Sequence, residues 1–114
     1  MSGISCHVLD TSLGRPAAGI TIRLERLEDG SSLWQALVTT QTNTDGRATG
    51  LEGAAPRALG PHRLTFELEA YFRQTGQEIF FPRVQVEFIV GSASEKYHVP
   101  LLLSPFGYCT YRGS

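Results

Sequence analysis

Three histidines, His7, His62 and His98, are the side chains of this chain that change charge near neutral pH. His7 and His98 both sit inside strand-like runs. In an extended strand His7 shares a face with Ser5 and Leu9, while Cys6 and Val8 point the other way; His98 shares a face with Pro100 and Leu102. A neutral imidazole on such a face is what a general base working at pH 7 needs, although His7, taken alone, reads first as a half-exposed surface histidine. His62 follows Pro61 in a loop-like stretch and reads as surface. Arg47 follows the Asp45-Gly46 turn and by itself is an ordinary solvated arginine. The chain closes on Tyr111-Arg112-Gly113-Ser114, which gathers a phenol, a guanidinium and a hydroxyl beyond a strand end. Fixed catalytic motifs are missing: there is no Gly-rich phosphate loop, Cys-x-x-Cys, His-x-x-x-His or Gly-x-Ser-x-Gly. Any site must be assembled from dispersed residues.

The elements that would assemble it are strands. Ile4–Leu9 is a short β-prone run closed by Asp10-Thr11-Ser12 and Gly14-Arg15-Pro16, a turn-rich loop. Ile20–Leu27 alternates, apolar at even positions up to Leu24, and Glu28–Ser32 is a hairpin connection. Leu33–Thr42 follows with Trp34 as its largest anchor, then the turn Asn43-Thr44-Asp45-Gly46 and a short strand near Arg47–Gly50. Leu51–Pro61 reads as loop. Arg63–Leu68 alternates again, Glu69–Gly76 as a two-turn helix with Gly76 as its stop, and Arg83–Val90 is the clearest amphipathic strand. Gly91–Glu95 reads as a hairpin loop before Tyr97–Leu103. Ser104-Pro105 breaks that run, and Phe106–Tyr111 is a half-exposed last strand. Seven or eight strands at roughly ten-residue spacing predict an all-β sandwich.

Bulk properties narrow the function classes. The chain has 114 residues, 41% hydrophobic and 18% charged, enough for one domain over 1–114 with one modest core. A net charge of −1 provides no basic surplus for nucleic acid or an anionic membrane surface. No apolar run nears the roughly 20 residues that span a bilayer. Met1–His7 lacks the basic and apolar regions of a signal peptide, and the ending is not a Ser-Lys-Leu address, so a cytoplasmic protein is expected.

The chain resembles the transthyretin-like family, and within it the 5-hydroxyisourate hydrolases. The resemblance is carried by Leu102-Leu103-Ser104-Pro105 with the Tyr111-Arg112-Gly113-Ser114 ending, by His7-Val8-Leu9-Asp10-Thr11 with Gly14-Arg15-Pro16-Ala17, by Thr42-Asn43-Thr44-Asp45-Gly46-Arg47, and by Phe80-Phe81-Pro82 and Tyr97-His98-Val99-Pro100-Leu101. It implies an eight-stranded sandwich with one short helix, assembled as a homotetramer whose sites lie where two dimers meet. It implies hydrolytic opening of 5-hydroxyisourate without metal or organic cofactor. The family's functional positions fall on His7, Arg47, His98, Tyr111, Arg112 and Ser114.

In that fold the strands of His7 and His98 are neighbours. The two rings are then expected to oppose each other about 5 Å apart at Cβ, each lowering the other's pKa. Arg47 or Arg112 would stabilise a developing oxyanion, and Tyr111 would stack on or donate to the planar ring. Which histidine is the base is left open. The strand between the first and last separates Cys6 from Cys109 by two strand spacings, near 10 Å, so both are expected as free thiols, Cys6 in the core and Cys109 on the face of Tyr111. Two other readings stand beside the hydrolase: a carrier of small hydrophobic ligands in the same channel, and a zinc hydrolase using both histidines and Cys109.

Overall fold

Strict alternation gives each strand one apolar face, and two such faced sheets bury those faces against each other. The computed structural model describes residues 3–51 and 59–114. In chain order it comprises β1 (Gly3–Asp10), β2 (Arg15–Pro16), β3 (Thr21–Leu27), β4 (Trp34–Gln41), β5 (Gly60–Glu67), α1 (Glu69–Gln74), β6 (Arg83–Val90), β7 (Lys96–Ser104) and β8 (Gly107–Thr110). The sheets run β2-β1-β7-β8 and β4-β3-β5-β6. All pairings are antiparallel except β1 with β7. Cys6 and Val8 of β1 and Val99, Leu101 and Leu103 of β7 meet Ile22, Leu24, Leu64 and Phe66 of the facing sheet in the core. Phe66 and Phe72 are fully buried, each contributing about 2–3 kcal/mol through the apolar area removed from water. Among the described residues no helix is long and apolar enough to cross a membrane.

The helix ends as its sequence predicts. Gly76 takes φ +70°, Gln77 N–H reaches back to the Phe72 carbonyl (2.8 Å) and Gly76 N–H to that of Arg73 (3.2 Å), a Schellman closure. Other expectations need correction. β5 begins at Gly60, so Gly60 and Pro61 belong to a strand; 52–58 of the expected loop lie outside the described residues. His62 is therefore not a surface loop residue. It lies wholly buried on β5, Nδ1 on the Gly60 carbonyl (3.0 Å) and its ring 5.9 Å from that of Phe88. Polarity suggested solvent, but its place in the strand alternation put it inside. Arg15–Pro16 forms the edge strand β2 rather than only a turn, and the short strand near Arg47–Gly50 is reduced to isolated bridges at Arg47 and Ala48. Gly91–Glu95 is not a hairpin, because it carries the chain from one sheet to the other. Trp34 is only half-buried on an edge strand, where the Arg63 guanidinium covers its ring at 4.3 Å. The β3–β4 register shifts between Leu24 and Glu25, where β4 carries the extra residue Leu37, while the β3–β5 register runs on unbroken.

One residue not singled out in the sequence ties the elements together. Asp10, at the end of β1, is 1% exposed and receives five hydrogen bonds: Ser12 N–H, Ser12 hydroxyl and Leu13 N–H on Oδ1, and Tyr71 hydroxyl and Gln77 amide on Oδ2. Burial raises its pKa. The hydrogen bonds from Tyr71, Gln77, Ser12 and Leu13 together outweigh that and hold the carboxyl below its ordinary range. Tyr71 is raised in turn, first by burial and then by Asp10. This carboxylate fastens the β1–β2 turn to the helix.

Candidate active site

β1 and β7 pair in parallel with Ser5 opposite His98 and His7 opposite Pro100. The histidines are thus on adjacent strands and one face, as expected, but they do not oppose each other. They stand diagonally, two residues apart in register, because the β1–β7 ladder pairs Ser5 with His98 and His7 with Pro100. The residue facing His98 is Ser5, whose hydroxyl lies 2.8 Å from His98 Nδ1. His98 is held below the ordinary imidazole pKa, first by burial, then by the Arg47 charge, and then by His7 and Lys96. The contribution of His7 to this lowering is therefore the smaller part of the effect.

His7 is fixed from the loop after β4. Its Nε2 is 2.8 Å from the Asp45 carbonyl. A carbonyl only accepts, so Nε2 carries the proton, and in the neutral ring the lone pair is on Nδ1. The loop is organised by Asn43: its side-chain oxygen accepts from Asp45 N–H (2.9 Å) and Arg47 N–H (3.1 Å), and its own N–H donates to the Arg47 carbonyl (2.8 Å). Gly46 closes the turn at φ +76°, and its carbonyl receives Val8 N–H (2.8 Å). A side chain at Gly46 would run into the Val8 carbonyl, so the loop can lie on β1 only with glycine there. The result is a His7–Arg47 bridge that delivers Arg47 to the histidine face. Thr42, buried just before the loop, locks it to the segment between β2 and β3 by donating to the Ala17 carbonyl and accepting Ile20 N–H.

The tail arrives from the other side. Gly113 N–H donates to the His98 carbonyl at 2.7 Å, continuing the β7–β8 register beyond Thr110. A Cβ on Gly113 would lie 2.5 Å from His98 Cδ2, so the backbone packs directly on the ring edge. Ser5, Asn43, Arg47, Lys96, His98 and Ser114 line one cleft of about 730 Å³. Tyr111 and Arg112 line a different cavity of about 340 Å³, between β6 and the inner face of β7. Arg112 is occupied there, bonded to Glu95 (3.0 Å) and to the Lys96 carbonyl (3.2 Å) and stacked over Tyr97 at 4.5 Å. Within one chain Arg47, His98 and Ser114 share this cleft, His7 adjoins it through its bridge to Arg47 without lining it, and Tyr111 and Arg112 stand apart.

Both cysteines are free. Cys6 is buried and Cys109 exposed, and burial pushes the Cys6 thiol up to about 12. Among the described residues no three His, Cys, Asp or Glu side chains converge as metal ligands, so Cys109 does not join the histidines.

The sequence and its two-sheet frame match a known group of proteins over almost their whole length. The chain belongs to the HIUase/Transthyretin family. The family model covers residues 4–113. The 5-hydroxyisourate hydrolase of Mus musculus is 47% identical over 113 residues, covering 99% of this chain and 96% of that one. The structure of Klebsiella pneumoniae 5-hydroxyisourate hydrolase superposes with a TM-score of 0.82 at 39% identity, over 99% of this chain and 100% of that one. Sea bream transthyretin, solved in complex with thyroxine, superposes with a TM-score of 0.89 at 25% identity, over 97% and 94%. The fold is the transthyretin-like sandwich.

Proposed function

We propose that this chain, as one domain, hydrolyses 5-hydroxyisourate to 2-oxo-4-hydroxy-4-carboxy-5-ureidoimidazoline, a step of urate degradation. The observation that carries the reading is the pairing of a histidine held neutral, His98, with Arg47 in the cleft that the tail closes. Nearly full-length identity to enzymes of that name supports it.

In this reading His98 takes a proton from water as the water oxygen bonds to a ring carbonyl carbon. The carbonyl becomes an oxyanion opposite the Arg47 guanidinium. The oxyanion collapses, the adjoining ring C–N bond breaks, and the proton passes from the imidazolium to the departing nitrogen. The carbonyl carbon ends as the carboxyl group and the freed nitrogen as part of the ureido group. His7, protonated on Nε2 toward Asp45, orients the substrate, and Ser114 is a further hydrogen-bonding partner in the cleft. The chemistry as written needs no metal or organic cofactor.

We further propose a cytoplasmic homotetramer in which Tyr111 and Arg112 serve a cleft shared between chains. The support is apolar exposure: Phe80 is 62%, Phe106 67%, Ile89 65% and Tyr111 54% exposed, and Phe81–Phe80–Phe106 form a run of aromatic contacts, edge-to-face then tilted. Analytical ultracentrifugation at micromolar concentration tests the assembly; a fully active monomer contradicts it. The carrier reading has less support, since a ligand of low polarity gains little from a cleft lined by Arg47, Lys96 and His98.

A further inference from the structure

The reaction scheme above needs a lone pair on the cleft side of His98, and the ring alone does not decide which nitrogen has it. The surroundings do. Ser5 lies directly across the β1–β7 ladder from His98, and its hydroxyl is 2.8 Å from Nδ1. That hydroxyl makes no other hydrogen bond among the described residues. On the other side the ring is gripped by Gly113, whose α-carbon packs so close that an added Cβ would lie 2.5 Å from Cδ2 and 3.3 Å from Cγ. Ser5 on one side and Gly113 on the other bracket the ring in this orientation. Nε2 is left as the nitrogen without an intramolecular partner among the described residues.

A serine hydroxyl can donate or accept, so the choice falls to the charges around the ring. Those acting on it are the cleft cations Arg47 and Lys96, and His7. The unprotonated nitrogen is the negative end of the imidazole dipole, and cations across the cleft favour turning that end toward them. The proton then belongs on Nδ1, where the Ser5 oxygen accepts it.

We propose that Ser5 is a positioning residue that holds His98 as the Nδ1–H tautomer and so presents the Nε2 lone pair to the cleft. This rests on the hydrolase reading for its purpose but not for its geometry. Ser5 touches no reacting atom; it acts through His98. With Ser5 removed, the ring loses the acceptor for its Nδ1 proton, the two tautomers approach each other in population, and only part of the protein holds a usable base. The same logic makes Thr at position 5 an acceptable replacement and Ala a poor one.

The test is nitrogen NMR of the imidazole-labelled full chain at neutral pH, read for His98 in the wild type, Ser5→Ala and Ser5→Thr, with steady-state kinetics on the same samples. The wild type is expected to show a protonated, pyrrole-like Nδ1 and a pyridine-like Nε2. Ser5→Ala should move both signals toward tautomer-averaged values and lower kcat on the order of tenfold, the kinetic equivalent of one hydrogen bond, with KM little changed. Ser5→Thr should restore both readouts. Protonated Nε2 in the wild type, or Ser5→Ala with unmoved His98 signals, overturns the proposal. Failure of the wild type to open 5-hydroxyisourate overturns the hydrolase reading instead, and the spectrum still decides the role of Ser5.

Discussion

β1 carries two polar clusters that differ in one respect. At its end, Asp10 is buried and both carboxylate oxygens are filled by five donors from the adjoining turn, the helix and Gln77. Along its middle, His7 and the strand neighbour His98 each spend one ring nitrogen on the fold and leave the other toward solvent or cleft. Saturation is what stability requires of a buried polar group, since an unmade hydrogen bond there is costly. A reacting site requires the opposite, groups held firmly by one valence with another left open. The Asp10 cluster is therefore assigned to folding and the histidine cleft to chemistry.

Substitutions that separate rate from stability test that division. The largest effect is expected at His98→Asn, which keeps the shape but removes the titrating group: turnover of 5-hydroxyisourate should fall roughly 10²–10⁴-fold with the urea midpoint nearly unchanged. Arg47→Lys keeps charge but loses the planar fork and should cost less, mainly in kcat. Asp10→Ala is the mirror image. It should lower unfolding free energy by about 2–4 kcal/mol while folded molecules turn over at close to the wild-type rate. Equal loss of rate per folded molecule in Asp10→Ala would erase the distinction.

Gly113→Ala probes the junction between the clusters' two logics, since its methyl must displace either His98 or the tail. A fall in rate of about tenfold with retained thermal stability is expected. A smaller effect concerns pH. His62 and His98 both have folded pKa values below the ordinary one, chiefly through burial. Above about pH 6.5 both are neutral in the folded and the unfolded chain, so they add no pH dependence. As pH falls through that value the unfolded chain takes up protons that the folded chain resists, and stability declines. Urea midpoints at pH 8 and pH 5.5 should show the decline, and His62→Phe should lessen it. Thiol titration of the native protein should label Cys109 quickly and Cys6 only on unfolding.

Much of this was legible from residues. Period-two alternation located β3 and β6 almost to the residue, because one-sided burial is what writes that pattern. The helix stop at Gly76 was legible because positive φ selects glycine. His62 was not, because a buried neutral histidine has no local signature and its side of the sheet depends on where β5 begins. Register was also hidden. Nothing in the β1 or β7 sequence says that Ser5 rather than His7 faces His98, since that offset is fixed by long-range packing. Asp10 was read as a turn former, and its Ser12 and Leu13 bonds fit that; its Tyr71 and Gln77 partners lie more than sixty residues away.

Opening of 5-hydroxyisourate in the cleft beside β1 and β7 is the proposal on which the rest depends. The most direct measurement follows the ultraviolet decay of the compound, freshly made by urate oxidase, at neutral pH with the wild type, with His98→Asn and without protein, each with and without EDTA. Strong acceleration by the wild type in both media and near-background decay with His98→Asn are expected. Unaccelerated decay with the folded wild type, or full activity in His98→Asn, would contradict the proposal.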